Sequence, residues 1–132
     1  MAGEADLDKL LALMQPRLLE GDYVFSTLEG SAFPDVAGLA PLATYQEEEG
    51  LSLLIDKARA DAAGLQYSSV FRGITLTVHS SLDAVGFTAA VAGKLAANGI
   101  PANVVAAHYH DHLFVPADRA DYALQLLTEL ES

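Results

Sequence analysis

Cysteine is absent from the 132 residues, which removes disulfides, thiol catalysis and zinc–thiolate sites. Basic residues are scarce, because seven Lys and Arg stand against eighteen Asp and Glu for a formal net charge of −11. Binding a nucleic-acid backbone relies on Lys and Arg displacing counterions, so no nucleic acid is expected as a partner. No membrane partner is expected either: anionic surfaces repel such a chain, and no apolar stretch reaches the roughly 18 residues that a spanning helix needs. The opening MAGEADLDKLLALM has neither a basic lead nor a cleavage site, so it does not read as a signal peptide. Also missing are Gly-x-Ser-x-Gly, a P-loop, Gly-x-Gly-x-x-Gly and His-Glu-x-x-His. These absences set the expectation of a cytoplasmic, non-catalytic protein with no cofactor.

What is present favours folding. Hydrophobic residues make up 52% of the chain and charged ones 19%, enough for one compact domain or for two small halves that share a core. The best-punctuated stretch runs from Ile74 to Pro116. Ile74, Leu76 and Val78 alternate with Thr75, Thr77 and His79, which is the period of a strand with one buried face. After the turn SSLDAVG the period lengthens, and Phe87, Val91 and Leu95 line one stripe of a helix. Asn98-Gly99 ends that helix, Ile100 is placed for the contact beyond it, and Pro101 bars continuation. Two strands follow, interrupted near His110-Asp111, so the order strand, helix, strand, strand suggests a split β-α-β unit of the ferredoxin-like kind.

Earlier in the chain, Asp6 can cap a helix whose Leu7, Leu10, Leu11 and Met14 form a stripe, with Pro16 at its end. Tyr23 to Leu28 reads as a strand and Glu29 to Pro41 as a loop, a candidate lid or packing arm. Leu42 to Glu49 and Leu51 to Ile55 read as strands joined at Glu49-Gly50, and Lys57 to Ala63 as a short helix closed by Gly64. The final helix spans Asp118 to Glu131. Because only Ser132 remains after it, the second half lacks the closing strand of a β-α-β-β-α-β unit, and the N-terminal segment is expected to supply one.

The run LDAVGFTAAVAGKLAANGIPANVVAA resembles the core of an ACT domain. Asp83, Gly86, Gly99, Ile100 and Asn103 match its pattern, while Val85 stands where Pro is usual and Pro101 and Ala102 separate Ile100 from Asn103. With SSLDAVG, HDHLFVP and EEEGLSLLI, the chain is similar to a bacterial group of short tandem-ACT proteins and, more distantly, to the ACT halves of eukaryotic arginine sensors. The resemblance implies an α+β fold of tandem ferredoxin-like halves, residues 1–66 and 67–132, with antiparallel sheets covered by helices on one face. It also implies a regulatory module that binds an amino acid at the turn, through His79, Ser80, Ser81, Asp83, Val85, Gly86, Phe87 and Asn103.

Three stretches are candidates for chemistry on their residues alone. At His79 to Gly86 a strand ends and a helix begins, so free N–H groups and the positive helix end suit a carboxylate, or Ser80 and Asp83 simply cap the helix. On an unbroken strand His108, His110 and His112 would share a face like that of a three-histidine zinc site. A reversal among Tyr109 to His112 spoils that face and leaves a polar hairpin tip or a ligand contact, at the same end as the His79 to Gly86 turn. Glu47 to Glu49 either hold a cationic group or form a solvated hairpin tip. The expected function is small-molecule sensing by a homodimer, because shared strands leave sheet edges open. A metal-binding protein using His108 to His112, or an interaction domain with a vestigial ligand site, is the alternative.

Overall fold

In the computed structural model, which describes residues 3, 6–79, 81 and 84–131, the chain forms two compact units. The larger joins the residues up to Glu20 to those from Arg72 onward, and the smaller is the continuous stretch between.

The larger unit begins with α1 (Leu7–Ala12), where the Asp6 carboxylate accepts a hydrogen bond from the Lys9 N–H at 3.1 Å. Its apolar stripe is buried as its spacing predicts, with Leu10 and Met14 fully enclosed and Leu7 and Leu11 packed at the margin. Next comes β1 (Pro16–Leu18), antiparallel to β5 (Phe71–Leu76), with Pro16 opposite Leu76 and Leu18 opposite Ile74. The expected loan is therefore present: the N-terminal segment completes the sheet of the second half. Proline is tolerated there because β1 pairs on one side only among the described residues, where a missing N–H costs little.

From β5 the chain passes through α4 (Phe87–Ala96), β6 (Asn103–Ala106), β7 (Asp111–Pro116) and a 3-10 turn into α5 (Ala120–Leu130). β7 lies between β5 and β6, with Asn103 opposite Phe114 and Ala106 opposite Asp111. Strand alternation sends Ile74, Leu76, Leu113 and Val115 to the helix side, where they share a core with Val91 and Leu95 of α4 and Leu126 and Leu127 of α5. Each such Leu or Ile contributes on the order of 1.5–3 kcal/mol by leaving water. α4 ends in a Schellman motif: Gly99 N–H donates to Ala96 O and Ile100 N–H to Leu95 O, both at 3.0 Å, with Gly99 at φ 76°. Asn98 then ties α4 to α5, its carbonyl accepting from Arg119 at 3.2 Å and its side-chain oxygen from the Tyr122 hydroxyl at 3.1 Å.

The smaller unit contains β2 (Tyr23–Glu29), α2 (Phe33–Val36), a 3-10 turn at Ala37–Leu39, β3 (Ala43–Gln46), β4 (Gly50–Asp56) and α3 (Lys57–Ala62). β4 pairs antiparallel with β2 and with β3, and its Leu51, Leu53 and Ile55 form a core with Val24, Val36 and Ala60. The stretch read as an open loop, Glu29 to Pro41, is thus partly helical. Asp35 accepts from the Ala32 N–H at 2.9 Å and proline sits in the first turn of α2, so a local helix start outweighs the lack of periodicity. The strand expected from Leu42 to Glu49 is shorter, because Glu47 and Gly50 exchange backbone bonds at 2.9 and 3.3 Å and close the hairpin. A Cβ on Gly50 would strike the backbone of β2, at Leu28 O and at 2.8 Å from Glu29 Cα. Asp56 caps α3, accepting from the N–H groups of Ala58 and Arg59.

The architecture is α+β, with tandem ferredoxin-like halves and antiparallel strands whose apolar faces carry the helices.

Candidate functional site

β5 stops at Leu76, and the strand-to-helix turn is tied down at its entry. Thr77 N–H donates to Met14 O at 2.9 Å and the Thr77 hydroxyl to Gln15 O at 2.8 Å. At the exit Gly86 is the N-cap of α4, with φ 92° and ψ −15°, a conformation that residues with a Cβ rarely adopt. Gly86 O accepts from Ala90 N–H at 2.9 Å and so starts the helical ladder. Among the described residues no side chain caps the first N–H groups of α4, which leaves them and the positive helix end to the turn.

The residues expected to bind ligand fall into three groups. His79, Ser81 and Gly86 are half-buried and Val85 is 85% exposed, so these four line or flank the turn. Phe87 is 2% exposed and belongs to the core with Leu10 and Val91, because it is the first apolar position of the α4 stripe. Asn103 opens β6, three residues from the Ala106 end that leads into the hairpin tip, and its side chain donates to Phe114 O at 3.1 Å. It is therefore held away from the turn by its strand register. Ser80 and Asp83 lie outside the described residues.

His108 and Tyr109 belong to the hairpin tip that strand order places at the same end as the turn. The β6–β7 reversal lies at residues 107–110, closed by Ala107 N–H to His110 O at 3.1 Å. Its tip meets the turn: the Tyr109 ring lies 5.2 Å from the His79 ring, and the His108 ring 6.1 Å from it. His108 and Tyr109 stand edge to face at 4.8 Å. The signal in the sequence is topological, since strand, helix, strand sends the hairpin tip back to the end where the turn lies.

The histidines otherwise divide. β6 ends at Ala106 and β7 begins at Asp111, so His108, His110 and His112 do not share one unbroken strand face. His112 Nδ1 lies 3.0 Å from the Thr75 hydroxyl. Its pKa is lowered, chiefly by burial and then by the charge of His110, against a smaller opposing effect of Asp111. Among the described residues no three His, Asp or Glu side chains are grouped to hold a metal ion. Glu47, Glu48 and Glu49 are exposed, and the Glu47 carboxylate accepts from the Ser52 hydroxyl.

The comparisons with known proteins agree with this fold. Residues 2–72 match the ACT domain, and residues 68–129 match it again. Among solved structures the chain is similar to a Vibrio cholerae protein of unknown function, described as a possible transport protein, with 52% identity over 96% of each chain and a TM-score of 0.87. An Agrobacterium tumefaciens protein is 20% identical, over 88% of this chain and 87% of that one, with a TM-score of 0.72. The regulatory subunit of aspartate kinase from Thermus thermophilus shares 11% identity over 90% of this chain and 97% of its own, with a TM-score of 0.67, a likeness of fold alone. No functionally curated protein matches. ACT domains are typically regulatory, ligand-binding modules. The chain belongs to the ACT-domain family, with two such domains in tandem.

Proposed function

We propose that this protein is a non-catalytic sensor that binds a small amino acid at the turn between β5 and α4. The observation that carries the proposal is Gly86, a left-handed N-cap that leaves the first N–H groups of a ten-residue helix without a side-chain cap among the described residues. A ligand carboxylate meets there donors with no side-chain partner among the described residues, and the positive end of the helix dipole. His79, with the tilted rings of Tyr109 and His108 beside it, supplies an aromatic wall for the rest of the ligand. Ser81 adds a hydroxyl, and Ser80 and Asp83 belong to the same proposal as partners for the ammonium group. Family membership supports the ligand class.

The proposal includes a cytoplasmic homodimer. β3 and β6 each pair on one side only among the described residues, and open edges favour pairing with a second chain. No helix of the described residues is long and apolar enough to cross a membrane. A thermal-shift screen against the twenty amino acids, followed by calorimetry on any hit, tests the ligand. No stabilisation by any of them, at concentrations up to about 10 mM, ends the amino-acid reading. Light scattering that finds only single chains at high micromolar concentration ends the dimer.

A further inference from the structure

The smaller unit carries a hollow lined by no residue of the β5–α4 turn. About 580 Å3 in volume, it is lined by Tyr23, Pro41 and Leu42 together with Asp56 and Arg59. Arg59 and Ala40 also border an adjoining hollow of about 450 Å3. The guanidinium spends one N–H on Ala40 O at 3.2 Å, and no described Asp or Glu oxygen lies within 4.0 Å of it. An exposed arginine left without an ion pair is notable in a chain with eighteen acids and seven bases. Asp56 uses Oδ1 to cap α3, which leaves Oδ2 without a protein hydrogen bond among the described residues. On the same lining Leu42, next to Pro41, is 52% exposed. The wall itself is strained, since Ala40 has φ 50° and ψ 55° with no glycine to ease it. Backbone outliers of this kind persist where surrounding structure imposes them, and they gather at binding sites.

We propose that this hollow binds a free α-amino acid with an apolar side chain: its carboxylate on Arg59, its ammonium on Asp56, and its side chain against Pro41 and Leu42. A guanidinium fork suits a carboxylate better than a point charge does, and a zwitterion needs both an anionic and a cationic partner on one lining. The proposal is independent of the one made for the turn.

The test is an amide NMR titration of the full chain with L-leucine, with 4-methylpentanoate as the same skeleton without the amine. Leucine should shift the amides of Ala40, Leu42, Ala58 and Arg59. Arg59→Gln should weaken that response at least about tenfold, as loss of a charge-assisted pair does. Asp56→Asn keeps a capping acceptor and should weaken leucine while leaving 4-methylpentanoate unchanged. If Arg59→Gln does not fold, Arg59→Lys takes its place and should bind leucine more weakly than wild type. The proposal is overturned if these amides do not move at about 10 mM leucine, if the folded Arg59 variant binds as wild type does, or if 4-methylpentanoate matches leucine. Shifts at Gly86 and Phe87 report the turn separately, so either site can fail without the other.

Discussion

Tyr109 rests its ring 5.2 Å from the imidazole of His79, so the β6–β7 hairpin tip meets the β5–α4 turn that we propose binds the ligand. The tyrosine is 62% exposed and contributes little to the core. Tyr109→Ala should therefore change stability by no more than about 0.5 kcal/mol, as surface substitutions do. Affinity for the amino acid found by screening should fall several-fold. Chemical denaturation and calorimetry on the same samples separate the two effects, and equal affinity in the variant would remove the hairpin from the site.

Charge at the turn can be tested without distorting it. Gly86→Asp carries a cost of its own, on the order of 1–2 kcal/mol, because φ 92° suits a residue without a Cβ. Val85→Asp is the cleaner probe, since Val85 is 85% exposed and free of that strain. It should abolish carboxylate binding by like-charge repulsion while leaving the melting temperature nearly unchanged. Retained affinity in the folded variant would mean that the carboxylate sits elsewhere.

Leu95 is fully buried in the α4 stripe, whereas its neighbour Lys94 reaches out to Glu129 at 2.9 Å. Leu95→Ala should cost about 2–5 kcal/mol, and Lys94→Ala about 0–1 kcal/mol because the ion pair lies at the surface, Lys94 half-buried and Glu129 exposed. Urea unfolding measures both. Similar losses at the two positions would show that the helix presents a different face.

His112 predicts a pH dependence with a definite sign. Its folded pKa is depressed, so as pH falls through the ordinary value near 6.5 the unfolded chain takes up the proton first. Wild type should then lose stability relative to His112→Gln, which keeps a partner for the Thr75 hydroxyl but does not titrate. The difference should be constant above about pH 7.5 and should grow on acidification until folded His112 is protonated too. Unfolding curves for the two proteins at a series of pH values check this, and parallel profiles would refute it.

Local codes were the legible part of this fold. The Asp6 cap, the α4 stripe and the Gly99-Ile100 closure are each fixed by a few neighbouring residues, and each stands where its pattern puts it. β1 was legible only by counting strands, because Pro16 to Leu18 is too short for a period and its partner lies more than fifty residues away along the chain. The site was less legible still. Phe87 shows why: one residue can satisfy both a binding pattern and a helix stripe, and burial decided for the stripe. Tyr109 entered through topology, which no window of neighbouring residues contains.

The loan of β1 also bears on how the polypeptide is made. Gln15 N–H donates to the Glu131 carboxylate at 3.0 Å across 116 residues, and Thr77 reaches back to Met14 and Gln15. On the ribosome, Leu10 and Met14 emerge early and wait without their core partners until β5 and α4 have been translated, and the core closes only with α5. The smaller unit, by contrast, is one uninterrupted stretch and can condense while synthesis continues, drawing together the flanking segments that the larger unit must join. Nascent chains should thus be most vulnerable to proteases and self-association in the interval between those two events, with α1 as the exposed adhesive segment.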